Sequence, residues 1–168
     1  MTEPTQTNVD THAYAFREVM ASVCTPVTVI TAVSQDAPFG TTVSAFASLS
    51  VAPPMVLVAL DRASDLLRVV SDTKRFGVNV LAKEQADLAT NFATKGGSDK
   101  FGGVLWHPDH DVPRLPGTSG FLACDVAEFV DGGDHIVLLG NVVSVTVGQG
   151  RPLTYHGRRF GTHEPFEA

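Results

Sequence analysis

The sequence has few cysteines, no excess of basic charge and no long apolar run. Its two cysteines, Cys24 and Cys124, form no Cys-x-x-Cys pair, so we predict two buried free thiols in a reducing compartment. Twelve basic residues stand against 18 acidic ones, and the net charge of −6 disfavours nucleic acid and anionic lipid as partners. The longest apolar run, residues 52–60, is too short to cross a membrane, and the polar start shows no signal peptide. These features predict a cytoplasmic protein.

Several common catalytic motifs are also missing. There is no Gly-x-Ser-x-Gly elbow and no P-loop, and neither cysteine has a visible activating partner. The segment 148–150 starts like a dinucleotide fingerprint, but Arg151-Pro152 follows it where a helix would be needed. His107 and His110 could bind a metal together with nearby carboxylates, but Pro108 separates them and no third histidine follows at a suitable spacing. We therefore expect no metal site.

The pattern that is present is one of strands. A chain of 168 residues fits one domain and buries roughly 70% of its unfolded surface. Apolar periodicity predicts a helix at 14–23, strands at 27–33, 41–51, 55–60, 76–81, 121–130, 135–147 and 153–160, and short helices after Ser64 and at 84–95. The apolar run 55–60 predicts a strand that is buried on both faces, and residues 101–120 are expected to be irregular.

Short turns join several of the predicted strands. This favours an antiparallel barrel or sandwich over a doubly wound parallel sheet, which needs a helix after nearly every strand. We assign residues 14–161 to one domain, 1–13 to a flexible N-terminal tail and 162–168 to a C-terminal tail. A turn is expected at 34–40, because Asp, Pro and Gly lie close together there.

The segment from Thr42 to Ser50 carries an unusual row of hydroxyl groups. Read with the period of a strand, one face holds Thr42, Ser44, Phe46, Ser48 and Ser50. Short side chains would let a flat ligand approach the backbone, and the hydroxyls could donate to a phosphate or to ring heteroatoms. The alternative interpretation is a Ser/Thr-rich edge strand that faces water.

Two further segments could bind a ligand. In Gly133-Asp134-His135 the histidine follows a tight hairpin turn and would project from the end of a strand. In residues 96–101 two glycines, a serine and Lys100 follow a helix and could hold a phosphate. For the first segment, the alternative is an ordinary surface or core histidine. For the second, it is a helix C-cap followed by a solvated lysine.

Taken together, these segments resemble the short-chain flavin reductase family. The resemblance extends from about Phe16 to Gly161 and depends on 27–31, 40–50, Pro53-Pro54, 76–81, Phe92-Ala93, Lys100-Phe101 and 133–135. It implies a mainly β, antiparallel, Greek-key-like split barrel with a few short helices. Such a barrel forms a homodimer and binds FMN or FAD near the subunit interface. One departure is Thr25-Pro26-Val27, where the family often has Gly-Val at the start of the first strand.

The resemblance also implies a set of site residues. His135 is the catalytic residue and borders the nicotinamide, and Lys100 reaches the flavin phosphate together with Ser48 and Ser50. The implied cofactor-binding residues are Thr42, Val43, Ser44, Ala45, Ser48, Leu49, Ser50, Asn79, Lys100 and Phe101. Hydride transfer requires close stacking of two rings rather than a strong acid or base, which is consistent with the absence of a conspicuous catalytic constellation.

The activity implied by the resemblance is that of an NAD(P)H:flavin oxidoreductase. It would use diffusible flavin and nicotinamide and supply reduced flavin to a partner monooxygenase. Two alternatives stay open, namely a split-barrel protein that binds flavin or another cofactor without turnover, and a metal-dependent enzyme built on His107 and His110. Arg158-Arg159 could recognise the 2′-phosphate of NADPH, so the choice between NADH and NADPH stays open, as does that between FMN and FAD.

Overall fold

An antiparallel sheet of seven strands dominates the structure, a computed structural model that describes residues 6–167. The strands are β1 (Thr25–Pro26), β2 (Thr28–Ser34), β3 (Ala37–Val43), β4 (Phe46–Val51), β5 (Pro54–Asp61), β6 (Arg75–Val80), β7 (His107–Asp109), β8 (Val112–Arg114), β9 (Gly120–Gly132), β10 (His135–Val147), β11 (Leu153–His156) and β12 (Arg159–Thr162). The helices are α1 (Gln6–Ala21), α2 (Asp65–Thr73) and α3 (Ala86–Ala93), with 3₁₀ turns at Lys83–Gln85 and Ser98–Phe101. The predicted mainly β, antiparallel class is confirmed.

The order of the strands forces the large sheet to curl. The order is β3-β2-β6-β9-β10-β5-β4, so the two edge strands follow one another in the chain and are joined by Ser44 and Ala45 alone. Such a link spans roughly 10 Å, whereas the edges of seven flat strands would lie roughly 29 Å apart. The edges therefore approach each other at this link, where the Ala59 N–H donates to the Ala45 carbonyl over 3.0 Å.

Two buried apolar clusters pack against the sheet. One contains Ile30 of β2 together with Leu66 and Val70 of α2, which lie four residues apart on one face of that helix. The other contains Val29 of β2 and Phe92 of α3. Because β2 contributes neighbouring residues to both clusters, it is buried on both of its faces.

The burial predicted for β5 is found on one face only. Val56, Val58 and Leu60 are buried, whereas the alternate residues Met55 and Leu57 stay partly exposed within this chain. The prediction of a strand buried on both faces is therefore wrong for the isolated chain. The outer face of β5 lacks a covering layer among the described residues.

Other differences from the predicted elements arise at turns. The strand predicted at 41–51 is two strands, because β3 pairs with β2 whereas β4 pairs with β5. The turn predicted at 34–40 is confined to Gln35 and Asp36, whose positive φ values of 49° and 62° are typical of a tight hairpin turn. The predicted irregular stretch contains the β7–β8 hairpin, and the last predicted strand is the β11–β12 hairpin. The latter forms a small sheet with β1, in which Thr25 pairs with Tyr155.

Residues 11–20 of helix α1 are exposed within this chain. It begins at Gln6, so it includes residues 6–13, which we assigned to the N-terminal tail; residues 1–5 and 168 lie outside the described residues. Its apolar side chains between residues 14 and 20 are exposed, Phe16 by 65% and Val19 by 63%. Arg158 forms an ion pair with Glu18 and connects the helix to the β11–β12 hairpin. None of the helices between residues 6 and 167 is long and apolar enough to cross a membrane.

The two cysteines lie in different environments. Cys124 is buried in β9, and burial, reinforced by the Asp125 carboxylate, raises the pKa of its thiol to about 12. Cys24 is exposed. The prediction of a buried thiol is confirmed for Cys124 and wrong for Cys24, which follows the exposed helix α1 rather than lying in a packed strand.

Candidate functional site

A cavity of about 220 Å³ opens where the edges of the curled sheet approach each other. It is lined by Thr41, Thr42, Val43, Ser44, Ala45, Ala59, Leu60, Asp61, Ser64 and His135. The structure thus brings His135 together with the first four predicted cofactor-binding residues, Thr42 to Ala45. His135, at the start of β10, pairs with Asp61, at the end of β5. The β3–β4 link passes beside this pair, because its Ala45 carbonyl accepts the N–H of Ala59 in β5.

A second cavity of about 390 Å³ adjoins the first and shares Thr41, Asp61 and Ser64 with it. Its other lining residues are Ala63, Asp65, Ala93, Thr94, Lys95, Gly96 and Lys100. Small-molecule sites usually measure about 300–1,000 Å³, so the first cavity alone is small and the two together are of suitable size. The joined cavities form one cleft, with His135 in one part and Lys100 in the other.

Lys100 presents a partly buried ammonium group to this cleft. Its Nζ donates to the carbonyl oxygens of Phe92 and Thr94, each at 3.2 Å, at the end of α3. An ammonium has three protons, so one is left for a ligand. Burial lowers the pKa of Lys100, and the Asp65 carboxylate partly opposes this effect. This geometry suits an anion such as a phosphate.

His135 is oriented by the residue that precedes it. The His135 Nδ1 lies 2.8 Å from the Asp134 Oδ1, and this bond with the imidazole lowers the pKa of the Asp134 carboxyl. An ionised carboxylate can only accept, so Nδ1–H is the donor in this bond. Nε2 is the ring nitrogen that is left for a ligand in the first cavity.

Not every hydroxyl at the cleft is available as a donor. The Thr42 hydroxyl donates to the Ala89 carbonyl over 2.7 Å, which fastens the β3 edge to α3. Ser64 precedes α2, but its side chain makes no capping hydrogen bond. Of the hydroxyls named here, Ser64 is therefore better placed than Thr42 to donate to a ligand.

Sequence reasoning missed Ser64 and Asp61 as site residues. We predicted Ser64 only as a helix cap and gave Asp61 no role. A signal was present, because polar residues follow the buried strand β5 directly, and side chains at such strand ends often contribute to binding sites.

The second half of the predicted hydroxyl row lies away from the cleft. Ser48, Leu49 and Ser50 belong to the edge strand β4 and line neither cavity. Ser50 is five residues beyond Ala45, roughly 17 Å along an extended strand. The chain crosses to the opposite sheet edge at Ser44 and Ala45, which breaks the single predicted face. The place of these three residues beside Lys100 stays a prediction.

Asn79 is part of the scaffold and is not at the cleft. It is fully buried, and its Nδ2 lies 3.2 Å from three acceptors, the Val29 carbonyl, the Thr31 hydroxyl and the Pro113 carbonyl. Its Oδ1 accepts the Leu115 N–H over 2.8 Å. These bonds engage both ends of the amide within the core, and the role of Asn79 in cofactor binding stays a prediction.

Phe101 is also a core residue. It is 7% exposed and packs edge-on against Phe92, with ring centroids 4.8 Å apart, and against Trp106 at 6.3 Å. Its ring packs between two other aromatic side chains, and its contact with the cofactor stays a prediction. Lys100, its neighbour, is the residue of this pair that reaches the cleft.

The two histidines of the possible metal motif lie in the β7–β8 hairpin. His107 begins β7, and His110 occupies the turn with a φ of 48°. Within residues 6–167, no three His, Cys, Asp or Glu side chains are grouped as metal ligands. His107 borders another cavity, lined also by Arg114, which is separate from the cleft.

A family model and several named proteins match most of this chain. The family model for the flavin reductase like domain matches residues 20–164. The reductase component of a 4-nitrophenol 4-monooxygenase/4-nitrocatechol 2-monooxygenase from Rhodococcus opacus is 38% identical over 151 residues, which cover 90% of this chain and 81% of that protein. The FMN reductase (NADH) SmoA of Agrobacterium fabrum is 34% identical over 148 residues, covering 88% of this chain and 84% of its own length.

Solved structures share the fold. Nitrilotriacetate monooxygenase component B from Mycobacterium thermoresistibile superposes with a TM-score of 0.88 at 32% identity, over 95% of this chain and 90% of that one. The NADH:FAD oxidoreductase SgcE6 of Streptomyces globisporus, in complex with NAD and FAD fragments, gives a TM-score of 0.87 at 27% identity. That alignment covers 99% of this chain and all of the other.

Proposed function

This chain belongs to the flavin reductase-like family, and we propose on that basis that it transfers a hydride from NADH or NADPH to FMN or FAD. It would then supply the reduced flavin to a partner monooxygenase, as the names of its relatives indicate for them. The observation that carries the proposal is the pair of adjoining cavities, one lined by His135 and the Thr42–Ala45 segment and the other by Lys100, which share Thr41, Asp61 and Ser64. Because nicotinamide dinucleotides are cytoplasmic reductants, the proposal also assigns the protein to the cytoplasm.

The lining of the cleft fits a flavin. The small side chains Ala45, Ala59 and Ala63 let a planar ring approach the backbone, and Ser64 offers a hydroxyl donor. Lys100 provides a charge-assisted donor for the phosphate. The flavin, when bound, supplies the redox chemistry, namely the acceptor for the hydride.

His135 would orient the nicotinamide. With Nδ1–H donated to Asp134, Nε2 is free to accept a hydrogen bond from the amino group of the nicotinamide carboxamide. This contact would fix the rotation of the nicotinamide over the flavin, and alignment of the reacting rings is a large part of catalysis for such a transfer. No proton transfer by a side chain is required.

A steady-state assay tests the proposed function. Purified protein is mixed with NADH or NADPH and with FMN, FAD or riboflavin, and nicotinamide oxidation is followed by absorbance. We expect turnover that requires both the protein and a flavin. Flavin binding without turnover would instead favour the cofactor-binding alternative, and neither binding nor turnover would exclude both.

Replacing Lys100 with alanine should weaken FMN binding by about 1–2 kcal/mol, since it removes a charge-assisted hydrogen bond to the phosphate. Titration of flavin fluorescence measures the dissociation constant. Riboflavin has no phosphate and serves as the matched ligand control, with an expected change below twofold. Equal losses of affinity for both flavins would show that Lys100 stabilises the end of α3, where its ammonium donates to two carbonyl oxygens, and does not bind the phosphate.

The same proposal includes a homodimer. Two exposed apolar surfaces support it, one on α1 around Phe16 and Val19 and one on the outer face of β10, where Val147 is 81% exposed and Val143 and Val145 are also exposed. Monomeric proteins rarely leave contiguous apolar patches of this kind uncovered. The partly exposed face of β5 is a third surface that a second copy could cover.

Light scattering should give twice the chain mass of 17.8 kDa. Val145→Glu should shift the protein towards monomer, because an interface would have to bury the new carboxylate. Asp72→Glu, on the exposed side of α2, is the control and should leave the mass unchanged. A monomeric wild-type protein that still turns over at micromolar concentration would contradict the dimer.

A further inference from the structure

We propose that Arg62 is a positioning residue that fixes the His135 imidazole by holding the turn between β9 and β10. The kinetic consequence of this inference rests on the proposed reductase function, whereas its structural consequence does not. Arg62 carries no role in the family resemblance or in the sequence motifs described above.

Three hydrogen bonds connect Arg62 to this turn. Its Nε donates to the Gly133 carbonyl over 2.8 Å, and its guanidinium also donates to the Asp131 carboxylate. Its backbone N–H donates to the Asp134 carbonyl over 3.1 Å. One residue thus holds both sides of the turn that leads directly into His135.

The turn depends on these bonds because side-chain packing around it is sparse. Asp131 and Asp134 are 84% and 92% exposed. Gly133 has a positive φ of 68°, and a Cβ placed on it would meet no atom within 4 Å. Such an exposed hairpin tip opens easily, since few buried contacts oppose its motion.

Arg62 itself belongs to a hydrogen-bonded turn that follows β5. The Ser64 N–H donates to the Asp61 carbonyl over 3.0 Å, and the Asp61 carboxylate accepts the Ala63 N–H over 2.7 Å. Asp61 also pairs in register with His135 at the end of the β5–β10 ladder. Arg62 therefore connects this cleft-lining segment to the Asp134–His135 pair, so the position of the segment determines the position of the pair.

The expected effect is on position rather than on stability. The Arg62 side chain is 46% exposed, and ion pairs at such exposure contribute little to folding. An orienting contact, however, must keep its geometry within about half an ångström to remain productive. Losing the two side-chain bonds, to Gly133 and Asp131, should let the Asp134–His135 pair move while the rest of the sheet stays intact.

Arg62→Met keeps the aliphatic stem and removes the side-chain donors. At saturating flavin, we expect kcat/KM for NADH to fall about 5- to 20-fold, as for one misplaced orienting group. The flavin dissociation constant should change less than twofold. Arg62→Lys should not restore the rate, because a lysine cannot donate in the planar fork that reaches two acceptors together.

Arg75→Met is the matched control. Arg75 has nearly the same exposure, 47%, and also bridges two groups, the carboxylates of Asp111 and Asp125, but lies outside the cleft. We expect its kinetic constants to equal those of the wild type. A comparable fall in kcat/KM for this variant would overturn the assignment to Arg62.

A double-mutant cycle separates positioning of His135 from a general structural role. If Arg62 acts through His135, Arg62→Met should lower kcat/KM less than twofold in the His135→Ala background. If Arg62→Met lowered kcat/KM in the His135→Ala background by as much as it does in the wild type, the proposal would be overturned. A loss of flavin binding or a large fall in Tm in Arg62→Met alone would assign Arg62 to the scaffold and overturn it as well.

A measurement without NADH distinguishes this inference from the proposed function. Nitrogen NMR of the His135 ring should report the Nδ1–H tautomer in the wild type and in Arg75→Met, and a mixture of tautomers in Arg62→Met. An unchanged tautomer in Arg62→Met would overturn the positioning role. If the wild type oxidised no NADH, the proposed reductase function would be wrong. The tautomer of His135 would still show whether Arg62 positions its ring.

Discussion

Replacing His135 with alanine is expected to lower kcat/KM for NADH by about 5- to 150-fold, which corresponds to one lost orienting contact. The side chain lies at the cleft and its Nδ1 is bonded to Asp134. In the proposed function, Nε2 accepts a hydrogen bond from the nicotinamide carboxamide. The imidazole is about 41% exposed, so its removal leaves no large void in the core. The variant should therefore fold and bind flavin as the wild type does.

The control for this variant is His110→Ala, in the β7–β8 turn and outside the cleft, which should keep wild-type kinetics. Dithionite should still reduce flavin bound to His135→Ala, because that reductant bypasses the nicotinamide site. The opposite result would be loss of flavin or an early thermal transition with intact NADH kinetics. His135 would then be a structural residue of the hairpin, and its catalytic assignment would be wrong.

Replacing Asn79 with alanine is expected to have the largest effect on stability, a loss of about 3–5 kcal/mol. The substitution leaves the buried Leu115 N–H without its acceptor, at a cost of about 1–3 kcal/mol, and removes the hydrogen bonds of the two Nδ2 protons, at about 1 kcal/mol each. For a chain of this length the corresponding fall in Tm is roughly 6–20 °C. Thermal unfolding followed by circular dichroism measures it.

The same variant tests whether Asn79 binds the cofactor or only stabilises the core. At a temperature where it remains folded, its flavin dissociation constant should match the wild type, because the amide faces the core. Gln149→Ala, at an exposed position after β10, is the control and should change the free energy of unfolding by less than about 0.5 kcal/mol. Weaker flavin binding with an unchanged Tm would restore Asn79 to the cofactor site.

Much of the local structure could be predicted from the sequence. Strand β10 has the predicted bounds, since alternating apolar residues follow a tight Gly-Asp turn, and both signals act over a few neighbours. Helix α2 was expected after Ser64 because Leu66, Leu67 and Val70 recur at helical spacing. The family and its flavin chemistry followed from the order of short motifs along the chain, and the family model confirms the family.

The membership of the site was determined by the tertiary structure. Periodicity shows which residues of a strand share a face, but not which strand they pair with. Residues 42–51 therefore looked like one row, although the chain crosses between sheet edges at Ser44 and Ala45 and carries Ser48 and Ser50 away from Lys100. Asn79 and Phe101 are motif residues whose burial depends on distant partners, Pro113 and Trp106 among them. Such long-range pairing is set by how the whole sheet curls, and no local pattern contains it.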